Sequence, residues 1–376
     1  MKESVVRRQT VLLALLLAIV ISLSGCAGGA QRATSWPGLT FVADKLFVAD
    51  ITNLQALEAA DAAPIWSFPV NTKDDNRGTF VATPAVTDEY VIAASEMPRT
   101  GFFSQPTYVV WAVDRETGRD VWSFSEAGGT YVEGGAVSDG IVVIGNSDGY
   151  VYALDLESGA LKWKFETGHR VWASPLIDSG VVFIGSMDRH LYALSLADGS
   201  VMWDFNAGGA FAGTPVLQDG VLFIGAFNDM FYALDAETGQ VQWSIPSGNW
   251  FWGGPVIYGD TVYAADVQGN VHALDAASGA TIWIQTIDSQ VRASPAISED
   301  GALLLVGSED GNLYALATAD GFVVWVDETE GQVLTPPVVN GSIVYEVLTY
   351  GTYRVRALRI ENGREIWSYP PQIESQ

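Results

Sequence analysis

The sequence predicts an all-β protein, an eight-bladed β-propeller of four-stranded antiparallel blades, and three observations carry that prediction. An alanine is followed ten positions later by a tryptophan eight times, at Ala56/Trp66, Ala112/Trp122, Ala153/Trp163, Ala193/Trp203, Ala233/Trp243, Ala273/Trp283, Ala315/Trp325 and Ala357/Trp367. From Trp122 onward the motif tryptophans stand 41, 40, 40, 40, 42 and 42 residues apart, after one longer interval of 56, so one supersecondary unit is copied in tandem. Each unit holds four short runs that are apolar at nearly every position, so both faces of each small sheet need cover. Radial stacking supplies that cover and leaves no long open edge. A tandem solenoid would need distinct capping units, and none is found.

The fourth unit shows the strands in order: Ser174-Pro175-Leu176-Ile177, then residues 181–185, 191–194 and 201–205. The turn signals Asp178-Ser179-Gly180, Met187-Asp188-Arg189 and Ala197-Asp198-Gly199 separate them. Seven units place glycine six residues after the alanine (Gly118, Gly159, Gly199, Gly239, Gly279, Gly321 and Gly363), where a tight turn needs positive φ; Ala62 takes that place in the first. Aspartate two after the alanine (Asp114, Asp155, Asp235, Asp275) is placed to accept turn N–H groups. The small alanine is expected to leave room for the neighbouring blade's indole to lie flat on backbone, buried. This Ala-x-Asp-x-x-x-Gly-x-x-x-Trp pattern resembles the tryptophan-docking motif of pyrroloquinoline-quinone (PQQ) type propellers, from about Pro37 to Tyr369.

Blade count follows from motif count. The first unit opens near Trp36-Pro37-Gly38 and the last closes with Glu365-Ile366-Trp367-Ser368-Tyr369, so eight blades fill a single domain over residues 36–370, followed by a tail at 371–376. Ahead of the ring, Lys2, Arg7 and Arg8 precede an apolar run over residues 11–23 and then Leu23-Ser24-Gly25-Cys26. Thirteen residues are short for a membrane span, which takes about 20. Residues 1–25 are expected to be an export signal, and Leu-Ser-Gly-Cys looks like a bacterial lipobox with Cys26 as the lipidated first residue of the mature chain. An uncleaved anchor and an ordinary cleaved signal are the alternatives. Residues 26–35 then form a tether.

Cys26 is the sole cysteine, which excludes disulfides and cysteine metal sites. His169, His190 and His272 lie in different units without ligand spacing and are expected at the surface or lining the pore. No metal or cofactor is expected. The formal charge is −25, about −27 once residues 1–25 are removed, which excludes nucleic acid and disfavours anionic lipid surfaces. It favours basic or neutral partners, and is equally the mark of a generic acidic surface.

Function on such a scaffold is expected on loops. In a propeller, the connections between blades share a face with those between second and third strands. There the sequence departs from its own repeat: His169, Arg170 and Trp172; Phe211; Asn249, Trp250, Phe251 and Trp252; Arg292; and Tyr131 with Glu133. An insertion over residues 95–107, with Arg99, Phe102 and Phe103, is expected on the same face. Aromatic and arginine residues dominate binding hot spots, so this mouth is the candidate partner-binding surface; the bland alternative is that these side chains plug the channel. Asp148, Asp188 and Asp310 could suggest a cation ring, but Asp at a hairpin turn needs no cation.

PQQ-dependent dehydrogenases carry an adjacent cysteine pair under the quinone, which is missing here, so no catalytic residue carries over. A lipid-anchored, cysteine-poor ring of eight blades is similar to outer-membrane assembly lipoproteins of the BamB type. That resemblance implies a monomeric, non-enzymatic scaffold for envelope proteins, in β-barrel assembly at the periplasmic face of the outer membrane, or at the outer face of the cytoplasmic membrane where no outer membrane exists. The alternative is a receptor for a quinone, sugar or peptide in the funnel, or a PQQ-dependent dehydrogenase.

Overall fold

A computed structural model describes residues 36–70, 75, 77–98 and 104–370. The segments expected to be an export signal, tether and tail, with Cys26, Arg99, Phe102 and Phe103, lie outside the described residues. Thirty-two strands and no helix occur among those described. They form eight four-stranded sheets, each an antiparallel meander continuous in sequence. The protein is an eight-bladed β-propeller, with blades at residues 38–68, 79–124, 136–166, 176–206, 216–246, 256–286, 296–328 and 338–369.

In blade 4 the strands are Leu176–Asp178, Val181–Gly185, His190–Ser195 and Val201–Asn206. First strands touch between blades 1 and 2, between blades 3 and 4, and from blade 5 through blade 8 round to blade 1. Second strands are buried almost throughout, whereas fourth strands alternate toward solvent. The core therefore lies in the clefts between facing sheets: Val143 and Val151 of blade 3 meet Ile184 and Leu194 of blade 4, and the same pairing recurs around the ring.

The motif tryptophans fasten these clefts. Each donates from Nε1 to a backbone carbonyl of the next blade: Trp66 to Arg115, Trp122 to Leu156, Trp163 to Leu196, Trp203 to Ala236, Trp243 to Ala276, Trp283 to Thr318, Trp325 to Ile360 and Trp367 to Ala59. The bonds run from 2.8 Å at Trp163 to 3.1 Å at Trp367.

Two details of this docking differ from the sequence reading. The indole lies on the next blade's glycine rather than against its alanine: Trp66 on Gly118, Trp122 on Gly159, Trp163 on Gly199, Trp203 on Gly239, Trp243 on Gly279, Trp283 on Gly321 and Trp325 on Gly363. A Cβ added to any of these glycines would stand 2.5–2.7 Å from a ring atom. The motif alanine, fully buried in every blade, is instead the cross-strand partner of its own blade's tryptophan, as in Ala193 opposite Trp203, at a β-bulge that recurs in all eight. Burial is also less complete than expected. All eight stand on fourth strands; Trp66 and Trp163 are buried, but Trp122, Trp203, Trp243, Trp283, Trp325 and Trp367 are only half-buried. The turn aspartates hold their loops: Asp235 accepts from the Thr238 amide and hydroxyl, both at 2.8 Å, and this bonding keeps its carboxyl below the usual range.

Ring closure uses no shared strand. Trp367 bonds Ala59, Tyr345 Oη reaches the same carbonyl at 3.4 Å, and Thr335 Oγ1 donates to Pro37 O at 2.6 Å. The insertion in blade 2 differs from the sequence reading. Ser95, Glu96, Met97 and Thr107 lie within lengthened strands, paired as Ser95–Val109, Glu96–Tyr108 and Met97–Thr107, rather than in the mouth loop.

A charged cluster is built into the seam of blades 7 and 8. Arg356 is 8% exposed and binds Glu346 at 2.8 Å, Glu365 at 2.9 Å and Asp327. One guanidinium thus serves three carboxylates, and burial pushes the fully buried Glu346 carboxyl up to about 8.

Candidate functional site at the mouth of the ring

Side chains alternate along each segment that enters a blade. Tyr131, Val171, Phe211, Phe251, Val291 and Val333 occupy equivalent positions, and none is more than 1% exposed. Phe211 and Phe251, which the sequence reading placed on the partner-binding face, are therefore core residues. Their Cβ atoms fill the space a side chain on Gly185 or Gly225 would need, at 2.5 and 2.3 Å from the added Cβ. The residues that follow in the alternation, Trp172, Trp252 and Arg292, are only partly buried, and the residue before, Trp250, is 51% exposed.

Four aromatic rings from three parts of the chain meet at this mouth. Trp250 stacks on Phe227 with centroids 5.4 Å apart and planes 11° from parallel; Phe227 also meets Trp252 at 5.5 Å, and Trp252 meets Trp172 at 5.8 Å. The Arg292 guanidinium sits 5.0 Å from the Trp252 centroid, and its Nε is held by Glu309. Phe227 and Glu309 escaped sequence reading. They occupy the same place in the turn between second and third strands, one position before Asn228 and Asp310, where other blades have Ser147, Met187 and Val267. His169 is exposed, and its carbonyl accepts from Thr167 Oγ1 at 2.5 Å. The carbonyl of Arg170 accepts from the Met187 amide at 2.9 Å. Neither residue belongs to the ring cluster among the described contacts. The Nε1 of Trp172 is buried with no hydrogen-bond partner among the described residues.

His272 corrects the expectation for the histidines: it is 3% exposed, neither at the surface nor in the pore. It packs on Phe251 at 5.7 Å with Nε2 3.4 Å from Oδ2 of fully buried Asp266, which Asn249 also approaches at 3.4 Å. Asp148 and Asp188 are occupied as turn residues; Asp188 accepts from the amides of Gly168 and His190 and from Tyr192 Oη, at 2.7 to 2.9 Å. No group of three or more metal-ligating side chains occurs among the described residues.

Below the mouth is an axial cavity of about 160 Å³, lined by segments entering blades 2 to 8, with Glu133, Trp252 and Arg292 in its wall. Burial pushes the Glu133 carboxyl up to about 7. PQQ is a planar tricyclic tricarboxylate. This wall offers the three carboxylates of the quinone a single guanidinium and sets one carboxylate, Glu133, against them, in a space well below the roughly 300–1,000 Å³ of ordinary cofactor pockets. The residues present do not fit the quinone.

The sequence profile of the outer membrane protein assembly factor BamB matches residues 27–132, 106–212, 206–268 and 267–375. The chain belongs to the BamB family. Among solved structures, BamB from Moraxella catarrhalis superposes with a TM-score of 0.71 at 21% identity, over 85% of this chain and 92% of that one. The computationally designed protein Ika8 gives 0.70 at 16% identity, over 88% and 98%. The quinohemoprotein alcohol dehydrogenase ADHIIG from Pseudomonas putida HK5 gives 0.63 at 16%, over 84% and 72%. At these identities the superpositions show the fold that a BamB-family protein shares with a dehydrogenase. No curated protein sequence matches.

Proposed function

We propose that this protein is a non-enzymatic scaffold of the cell envelope, tethered to a membrane through lipidated Cys26, that docks a protein partner of β-barrel assembly on the aromatic mouth. The observation that carries the reading is the contiguous surface of Trp250, Phe227, Trp252 and Trp172 with Arg292, in which Trp250 is half exposed. Exposed, pre-stacked aromatics beside an arginine are the composition of interface hot spots. Family membership supports the assembly role, and the poor fit of the axial cavity to a quinone speaks against dehydrogenase chemistry.

The test is binding of the mature protein to the purified periplasmic domains of the β-barrel assembly machinery from the same cell, by biolayer interferometry. Trp250→Ala and Trp252→Ala are each expected to weaken binding tenfold or more, whereas a change at an outward fourth-strand residue such as Val201→Thr leaves it intact. Unchanged affinity in both tryptophan variants would overturn the assignment of the mouth.

A further inference from the structure

The axial cavity carries a feature that protein docking does not use. Its wall holds two side chains of opposite charge, Glu133 and Arg292. They come from the segments entering blade 3 and blade 7. In a ring of eight sectors those blades lie four apart, so the two charges face one another across the axis. Ser174 and Thr214 line the wall between them and Ser294 lines it beside Arg292; the Ser174 hydroxyl donates to Gly134 O and the Ser294 hydroxyl accepts from the Gly254 amide, which ties adjacent entering segments together.

The two charges are held differently. Arg292 is held over the Trp252 ring with Nε on Glu309, which leaves the two Nη groups of the fork as the donors suited to a second carboxylate. Glu133 has no ion-pair partner among the described residues. A solitary carboxylate in a cavity is costly to ionise, and a ligand cation removes that cost. A ligand that satisfies both walls must be positive at one end, negative at the other and short.

We propose that the axial cavity binds a small zwitterion, a free α-amino acid or a dipeptide, with its ammonium group on Glu133, its carboxylate toward Arg292 and its side chain beside Trp252. The volume of about 160 Å³ suits that size class and excludes larger peptides.

Isothermal titration calorimetry of the purified mature protein tests this with a panel of free L-amino acids and glycyl dipeptides. Each probe is matched by the amine that lacks its carboxylate and the acid that lacks its amine. The expected result is saturable binding of at least one zwitterion, tenfold or more tighter than either truncated analogue. That binding falls tenfold or more in Glu133→Gln and in Arg292→Met, with tryptophan near-ultraviolet circular dichroism confirming that each variant is folded. Absence of binding by every zwitterion, equal binding of the amine alone, or unchanged binding in folded Glu133→Gln overturns the proposal. The partner-binding assay is a separate readout: Glu133 lies below the mouth, so loss of small-ligand binding in Glu133→Gln with partner binding retained distinguishes the two sites.

Discussion

Gly199→Ala puts the fastening of the blades to a quantitative test. Gly199 has φ +71°, and a Cβ there would stand 2.6 Å from Trp163 Cε3. An alanine held in the left-handed region costs about 1–2 kcal/mol, offset by about 0.4–1 kcal/mol because the unfolded chain becomes stiffer. Pushing the indole away adds an overpacking cost of about 1–3 kcal/mol. The net loss is about 2–3 kcal/mol, and more if Trp163 withdraws from Leu196 O, because a buried carbonyl left without its donor costs about 1–3 kcal/mol. Blade 1 contains the converse case. Ala62 sits at the same turn with φ +59°, and the tryptophan there, Trp367, has the longest of the eight bonds, 3.1 Å. Ala62→Gly is expected to stabilise by about 1 kcal/mol, since it removes the left-handed strain. Equilibrium urea unfolding read by tryptophan fluorescence measures both. A Gly199→Ala midpoint equal to wild type, or an Ala62→Gly midpoint below it, would refute the reasoning.

Further outcomes follow from the same geometry. Phe251→Ala empties a fully buried site and is expected to cost about 3–5 kcal/mol in urea, whereas the half-exposed neighbour Trp250→Ala costs under about 1 kcal/mol, which separates core from surface along two adjacent residues. Arg356→Met leaves buried Glu346 and Asp327 without their cation, a loss of about 3–5 kcal/mol that is larger at pH 8.5 than at pH 6. The folded protein holds a proton on Glu346 up to about pH 8, against 4.5 for the ordinary carboxyl, so its contribution is full below about pH 4.5 and is lost as pH rises toward 8; Glu346→Gln should flatten the stability profile over that window, and a parallel profile would contradict it. Cys26→Ser is expected to move the protein from the membrane to the soluble fraction on cell fractionation, and continued membrane association would remove the lipid anchor from the proposal.

The fold was legible because its determinants are local: glycine, tryptophan and turn aspartate each act within one repeat or on the next. Which small residue receives the indole was not, since alanine recurs in all eight units and glycine in seven, and only the path of the turn brings Gly279 under Trp243 or Gly321 under Trp283. The aromatic mouth was legible only in part. Phe211 and Phe251 group with Trp250 and Trp252 as long as aromatics on loops are taken to be exposed, yet the repeat itself separates them. Phe251 aligns with Val171, Val291 and Val333, an apolar position in every one of these blades, and Trp250 aligns with Arg170 and Gln290. Phe227 joins the cluster from a hairpin turn in another part of the chain, a partnership set by the curvature of the ring and not by spacing. The seam around Arg356 was hidden for a similar reason, because Asp327 reaches it from a different blade.

The join between the outermost repeats has a topological consequence. Since blades 1 and 8 are each woven wholly from their own stretch of chain and are clasped by Trp367, Tyr345 and Thr335, the seam there is fastened by the same kind of indole-to-carbonyl bond as every other, with Ala62 in place of glycine. The ends of the described ring, at residues 36 and 370, therefore hold no privileged position in the circle. A gene rearranged so that translation starts between any two sectors, with the ends of the ring spliced by a short flexible bridge, encodes the same closed wheel, and the segment that precedes residue 36 can then be attached at whichever sector is chosen.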